Sequence, residues 1–412
     1  MKRRHRVVVT GMGAVTPLGL GVAKLVEGLR SGRSGVGPIT VFDASALPTR
    51  IAGEVKEALP SPFRDRKVGF ALEAARQAWD EACSPGTAPS GHDASVLMGV
   101  GLELFSMADL VTSRKPGFAH PTGFAERLGF MQTPSDVCVH LLASLYGAHR
   151  PPVVLVSACA AGTDALGQGY RLVSSGRRRW VMAGGTDSMV NPLGVAGFCT
   201  LSATSTRNDE PTRASRPFER TRDGFVMGEG AGVVVLERLE DALARGRTPL
   251  AEIVGYGTSF DAHGISEPHP EGRGAHDAMV RALLDAELTP GSIDAVNAHG
   301  TGTPKNDPAE SRALMALLGD RAHEVPISAT KSMIGHLISA AGAVEAIAQI
   351  GCMRGGFVHP TINLDEPDPA CPLDYVPHVA RERSQRHALS TSYGFGGQNA
   401  ALVLHVDEGF LG

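Results

Sequence analysis

Short β-branched runs alternate with longer stretches of helical composition along almost the whole chain, and this limits the fold more than any other feature. Strands are read at 6–10, 95–100, 153–157, 180–183, 232–237, 251–257, 293–297 and 401–405. Helices are read at 66–83, 163–174, 275–286, 308–318 and 340–353. Strands that take turns with helices argue an α/β fold. With 412 residues the chain is too long for one small core, so two domains or two fused halves are expected. The polar segment 238–248 reads as a connector, which divides the chain into 1–250 and 251–412. No repeat period is visible, although two duplicated halves that had diverged far enough would show none.

The 50 glycines fall between apolar runs, so they mark tight turns and close backbone approaches rather than disorder. A net charge of -4 argues against a dedicated nucleic-acid binder, whose domain would be basic. Six cysteines are scattered at Cys83, Cys138, Cys159, Cys199, Cys352 and Cys371. None forms a C-x-x-C pair, so no structural zinc or other metal site is expected. Their scatter suits a reducing compartment, and a cytoplasmic location is expected. The basic start Met1-Lys2-Arg3-Arg4-His5-Arg6 is followed by an apolar run too short for a signal peptide, and no stretch is long enough to span a bilayer. Gly11-Met12-Gly13-Ala14-Val15-Thr16 follows a strand as a dinucleotide fingerprint would, but Thr16 replaces the third glycine and no acidic residue closes a following strand. It is read as a tight strand-to-helix turn.

Chemistry concentrates in four places. Cys159 lies in Val156-Ser157-Ala158-Cys159-Ala160-Ala161-Gly162, where a strand runs into a small-residue helical stretch. The positive end of a helix favours a thiolate and is expected to lower the thiol pKa. The alternative for a cysteine there is a buried small hydrophobe. His299 follows an apolar strand and opens Gly300-Thr301-Gly302-Thr303-Pro304, the kind of strand end at which α/β sheets keep their sites. Lys331 and His336 share Lys331-Ser332-Met333-Ile334-Gly335-His336, after a buried-looking run at 325–328. The histidines lack metal spacing, so they read as acid/base groups or N–H donors for an oxyanion, or else as satisfied turn and core histidines. Last, Thr391-Ser392-Tyr393-Gly394-Phe395-Gly396-Gly397-Gln398-Asn399 surrounds one bulky ring with glycines, as a gate over a pocket or as a plain turn.

Together these clusters resemble the β-ketoacyl-acyl-carrier-protein synthases of the condensing-enzyme (thiolase-like) superfamily, in the branch with a Cys-His-His triad. The likeness runs from Val8-Val9-Thr10-Gly11-Met12-Gly13 to Asn399-Ala400-Ala401-Leu402-Val403. It also takes in Ala183-Gly184-Gly185-Thr186-Asp187 and Arg216-Pro217-Phe218 with Arg222-Asp223-Gly224-Phe225-Val226. The resemblance implies a five-layered α-β-α-β-α sandwich of two similar halves with the site between them. It implies that Cys159 carries the acyl chain as a thioester, that His299 and His336 assist malonyl decarboxylation, and that Lys331 organises the site. Glu310 would give structural support, the N–H groups of Cys159 and Phe395 would form an oxyanion hole, and Phe395 would be the gate. No cofactor is implied, since the 4'-phosphopantetheine arm arrives on the acyl carrier protein. That carrier is acidic, and Arg64, Arg66, Lys67 and Arg207 fall where the family docks it. A dimer is implied, either of two copies or with a related ketosynthase-like subunit.

Some features depart from the pattern. Gln398 stands where many relatives carry threonine, and the stretch 101–110 looks unlike that of the usual fatty-acid enzymes, which leaves the acyl group open. The tract 203–209 also resembles ketosynthases of dissociated polyketide systems, so either pathway is admitted. Arg177, Arg178 and Arg179 receive no role. A non-catalytic chain-length-factor-like partner would lack the nucleophile. A thiolase would carry a second cysteine in the late glycine loop, where this chain has Phe395. An initiating synthase with a Cys-His-Asn triad would have asparagine in place of His336.

Overall fold

The computed structural model describes residues 4–83, 87–89, 93–105, 107–119, 121–123 and 132–410. Among the described residues its main sheet has 11 strands; ten form two sets of five that repeat one pairing scheme, and Gly19–Leu20 pairs with the end of Val7–Thr16. In the first set Val7–Thr16 pairs antiparallel with Gly230–Arg238, which pairs antiparallel with Trp180–Asp187. Trp180–Asp187 is parallel to Ala94–Val100, and that strand to Val153–Leu155. In the second set Ala251–Phe260, Gln398–His405 and His387–Gly394 pair antiparallel in that order, and Ala295–Asn297 and Ile327–Ser328 follow in parallel. Among the described residues the two sets pair strand to strand only where Val7–Val9 meets Ala251–Ile253.

Helices complete five layers. Arg66–Cys83 covers the outer face of the first set, and Arg273–Asp285 covers the outer face of the second, with Asn306–Leu318 beside it. Ala161–Ser174 and Ala341–Arg354 lie between the sets. Ala341–Arg354 is buried at every residue but Arg354, and its two buried polar side chains, Glu345 and Gln349, are paired with Lys331 and Gln385. The Cys159 turn and the loops that carry His299 and His336 project from strand ends beside these two central helices.

The expected strands and helices are all present, with bounds shifted by a few residues. The connector read at 238–248 contains the short helix Leu239–Ala244. The turn read at 11–16 is corrected: Gly11 and Gly13 lie inside Val7–Thr16. A Cβ on either would come within 1.9 Å of a carbonyl oxygen of Arg66–Cys83, at Ala78 and Ala74. These glycines let a helix approach a strand rather than let the chain turn. Residue 106, inside the unusual stretch 101–110, lies outside the described residues, as do residues 124–131.

Candidate active site

Val153–Leu155 ends at a single 3-10 turn, Ala158–Ala160, which feeds Ala161–Ser174. Ala158 holds φ at +50°, a left-handed conformation that costs a non-glycine residue about 1–2 kcal/mol. The turn sets Cys159 at the helix N-terminus, only 5% exposed, on a cavity of about 320 Å³. His299, His336, Phe198, Phe225 and Phe395 line the same cavity.

The two histidines come from strand-end loops of the second set and stand edge to face, with ring centroids 5.3 Å apart. The His299 loop is fixed through its backbone. Glu310 accepts the N–H groups of His299 and Gly300, each at 2.8 Å, and Thr391 Oγ1 lies 3.1 Å from the His299 nitrogen. Further along the loop, Asp307 accepts the N–H of Gly302 and that of Phe218, and faces the Arg222 guanidinium at 3.7 Å. His336 follows Gly335, whose φ is +71°, and its N–H donates to Val226 O at 2.7 Å.

The hydrogen bonds also choose the tautomers. His336 Nδ1 accepts the Ile338 N–H at 3.2 Å, so the ring hydrogen sits on Nε2, a buried atom with no hydrogen-bond partner among the described residues. Lys331 Nζ donates to His299 Nδ1 at 3.3 Å and leaves Nε2–H on that ring too. Burial first, then the Lys331 charge, holds both imidazoles well below their usual pKa. Lys331 is itself buried and forms an ion pair with Glu345. Burial pushes the Glu345 and Glu310 carboxyls up to about 7. The site therefore presents two neutral N–H donors, the arrangement suited to an oxygen that gains negative charge.

The expectation of a low thiol pKa is corrected. Burial pushes Cys159 up to about 11, although the Phe395 N–H bonded to the sulfur, the Lys331 charge and the thiol's own backbone N–H all favour the anion. Desolvation outweighs the helix end. Phe395 itself is half-buried and stands between the Cys159 cavity and a second one of about 370 Å³, lined by Leu102, Val156, Phe198 and Gln398.

The four basic residues named for carrier docking separate. Lys67 is 1% exposed, with Nζ on Leu102 O at 2.7 Å and on Asp65 at 2.7 Å, so it cannot meet a partner; the sequence shows its charge but not the carboxylate and carbonyl that bury it. Arg66 is half-buried against Glu229 at 2.6 Å. Arg64 is exposed and pairs with Asp109, and Arg207 is half-exposed and faces Asp223 at 3.7 Å. Glu345 and Phe198 are not marked by the sequence reading, and Thr391 enters it only as the first residue of the late glycine cluster. Only Glu345 carried a signal, as a carboxylate inside an apolar helical run. Cys371 is buried in the core of the second set with Phe218 and Tyr375, away from the cavity. Among the described residues no cluster of His, Cys, Asp and Glu is placed to hold a metal ion, and no helix is long and apolar enough to cross a membrane.

Comparison with known proteins agrees with this geometry. Residues 4–242 match the family model described as "Beta-ketoacyl synthase, N-terminal domain", and residues 250–365 match "Beta-ketoacyl synthase, C-terminal domain". The chain is 42% identical to 3-oxoacyl-[acyl-carrier-protein] synthase 2 of Synechocystis sp., over 97% of this chain and 98% of that protein. A solved type II polyketide acyl-carrier protein in complex with its ketosynthase bound to the hexaketide superposes with a TM-score of 0.87 at 31% identity, covering 98% of this chain and 100% of that one. The ishigamide ketosynthase/chain length factor superposes with a TM-score of 0.86 at 34% identity and the same coverage. The chain thus belongs to the β-ketoacyl synthase family, enzymes of the thiolase-like fold that form carbon–carbon bonds.

Proposed function

We propose that Cys159 accepts an acyl group from an acyl carrier protein and condenses it with malonyl carrier protein, in fatty-acid or type II polyketide synthesis. The observation that carries this is the meeting of a buried thiol and two neutral imidazole N–H donors on one cavity. The Cys159 sulfur attacks the acyl thioester, and the thiol proton ends on the departing sulfur of the carrier. Malonyl thioester then loses carbon dioxide, and the enolate oxygen takes the Nε2–H groups of His299 and His336. The enolate carbon attacks the acyl carbonyl, whose oxygen is held by the N–H groups of Cys159 and Phe395. Collapse releases the β-ketoacyl carrier and the Cys159 anion, which regains a proton from water. No step calls for a cofactor, because the phosphopantetheine arm belongs to the substrate.

In this reading Lys331 keeps the His299 tautomer and Glu310 holds its loop. Phe395 gates the second cavity as the acyl chamber. The repeated pairing scheme supports a division into halves 1–250 and 251–412. Arg64 and Arg207, with Arg66 at the edge, are the outward cations suited to an acidic carrier. Pairing through Val153–Leu155, an end strand of the sheet, would give a dimer of two copies or one with a related subunit, in the cytoplasm. A catalytic subunit is favoured over a chain-length-factor-like partner because Cys159, His299, Lys331 and His336 are all in place. A thiolase is disfavoured by Phe395 and by the remote Cys371. The test is incubation with acyl and malonyl carrier proteins and mass analysis of the carrier. A β-ketoacyl carrier two carbons longer than the acyl donor is expected, and unchanged carriers would overturn the proposal.

A further inference from the structure

Beneath the nucleophile turn lies a hydrogen-bonded strut that the steps above do not use. Asp164, in the first turn of Ala161–Ser174, receives two hydroxyl groups. Ser157 Oγ donates to its Oδ2 at 2.5 Å, and Tyr256 OH donates to its Oδ1 at 2.6 Å. Ser157 immediately precedes Ala158, the residue held at φ +50°. Tyr256 comes from Ala251–Phe260, a strand of the second set, so the strut crosses from one half to the nucleophile turn of the other.

The tyrosine is closely seated. Gly167 lets the helix lie flat on its ring, since a Cβ there would fall 2.3 Å from the ring edge, and the Arg171 guanidinium lies 4.5 Å from the ring centroid on the same helix. A parallel tie one residue earlier joins Thr163 Oγ1 to Ser392 Oγ at 2.7 Å. The gate strand meets the same turn, because a Cβ on Gly394 would come within 2.9 Å of Ser157 O. Whatever holds Ser157 therefore holds the strained Ala158 peptide, the Cys159 sulfur and its N–H relative to the N–H of Phe395.

We infer that the Tyr256–Asp164–Ser157 network is a positioning device for the nucleophile and its oxyanion donors, and that it acts on the thiol steps and not on decarboxylation. The carboxylate is the one acceptor both hydroxyls share, so loss of either donor frees the turn toward a relaxed Ala158 conformation. The histidine pair rests on Glu310, Thr391 and Lys331, which the strut does not touch. This inference rests on the proposed function for its acylation arm. Alkylation of Cys159 by iodoacetamide needs no carrier and tests the strut alone.

The experiment compares Ser157→Ala, Tyr256→Phe and Ser157→Thr in the full chain, with folding checked by thermal melting. Site-resolved alkylation of Cys159 and single-turnover acylation are expected to slow about tenfold in Ser157→Ala, and less in Tyr256→Phe. Malonyl decarboxylation is expected to stay within about twofold of the parent. Ser157→Thr, which keeps the hydroxyl, should recover the parent rates, and the double variant Ser157→Ala/Tyr256→Phe should lose less than the product of the single losses. Parent-like alkylation in folded Ser157→Ala would overturn the inference, as would equal falls in all three rates. A parent enzyme that alkylates but never acylates would count against the proposed function, and the alkylation series would still decide the strut.

Discussion

Cys159 and the two histidines are matched by opposite requirements. Burial makes the thiol hard to ionise and the imidazoles hard to protonate, so all three rest uncharged beside the Lys331–Glu345 pair. With both imidazole pKa values depressed, the N–H donors persist as pH falls through 6.5, the value of an ordinary histidine. The two imidazole rings are therefore expected not to titrate around pH 6.5 when followed by NMR, and a ring midpoint there would contradict the account. The thiol pKa is raised, so the thiolate is gained only as pH climbs toward 11; alkylation of Cys159 in the free enzyme should still be rising at about pH 9. His299→Ala and His336→Ala should each cost decarboxylation about 10²–10³-fold and acylation far less, measured as carbon dioxide release against single-turnover acyl transfer.

At the scale of elements, the buried ion pair is the weakest point to disturb. Lys331→Ala strands Glu345 in a helix with no access to water, and a loss of about 3–5 kcal/mol in stability is expected, read as a fall in melting temperature. Gly13→Ala would drive a methyl group into the Ala74 carbonyl and should cost about 1–3 kcal/mol, read the same way. These two sites also show what a sequence reveals and hides. Cys159, both histidines, Lys331 and Phe395 stand out because each sits in a short glycine-rich or small-residue context that ordinary core packing does not need, whereas Glu310 is marked only by the family resemblance. Glu345 does not stand out, because its role is set by a lysine fourteen residues away in sequence that reaches it only across the folded helix pair. Lys67 looked like a surface charge for the same reason: Asp65 and Leu102 O, which bury it, are brought together only by the fold. In the sequence Gly11-Met12-Gly13 reads as a turn, because spacing alone does not distinguish a glycine that turns the chain from one that admits a helix. His387–Gly394 was hidden by the glycine-rich run that follows it.

At the scale of the whole molecule, two five-stranded sets share one pairing scheme although the sequence shows no visible repeat. The end strand Val153–Leu155 closes one side of the first set, beside Val156, 72% exposed, and Leu102, 69% exposed. Such an apolar strand edge is a site for pairing with another chain. Val156→Asp is expected to shift the protein toward the mass of one chain in light scattering, and an unchanged mass would place any pairing elsewhere. The central claim is that one sulfur carries the acyl group. Its most direct test is intact-mass and peptide mass spectrometry after incubation with a panel of acyl carrier proteins. The parent is expected to gain one acyl mass, mapped to Cys159, while folded Cys159→Ala gains none. An acyl mass on another residue, or condensation retained by Cys159→Ala, would contradict it.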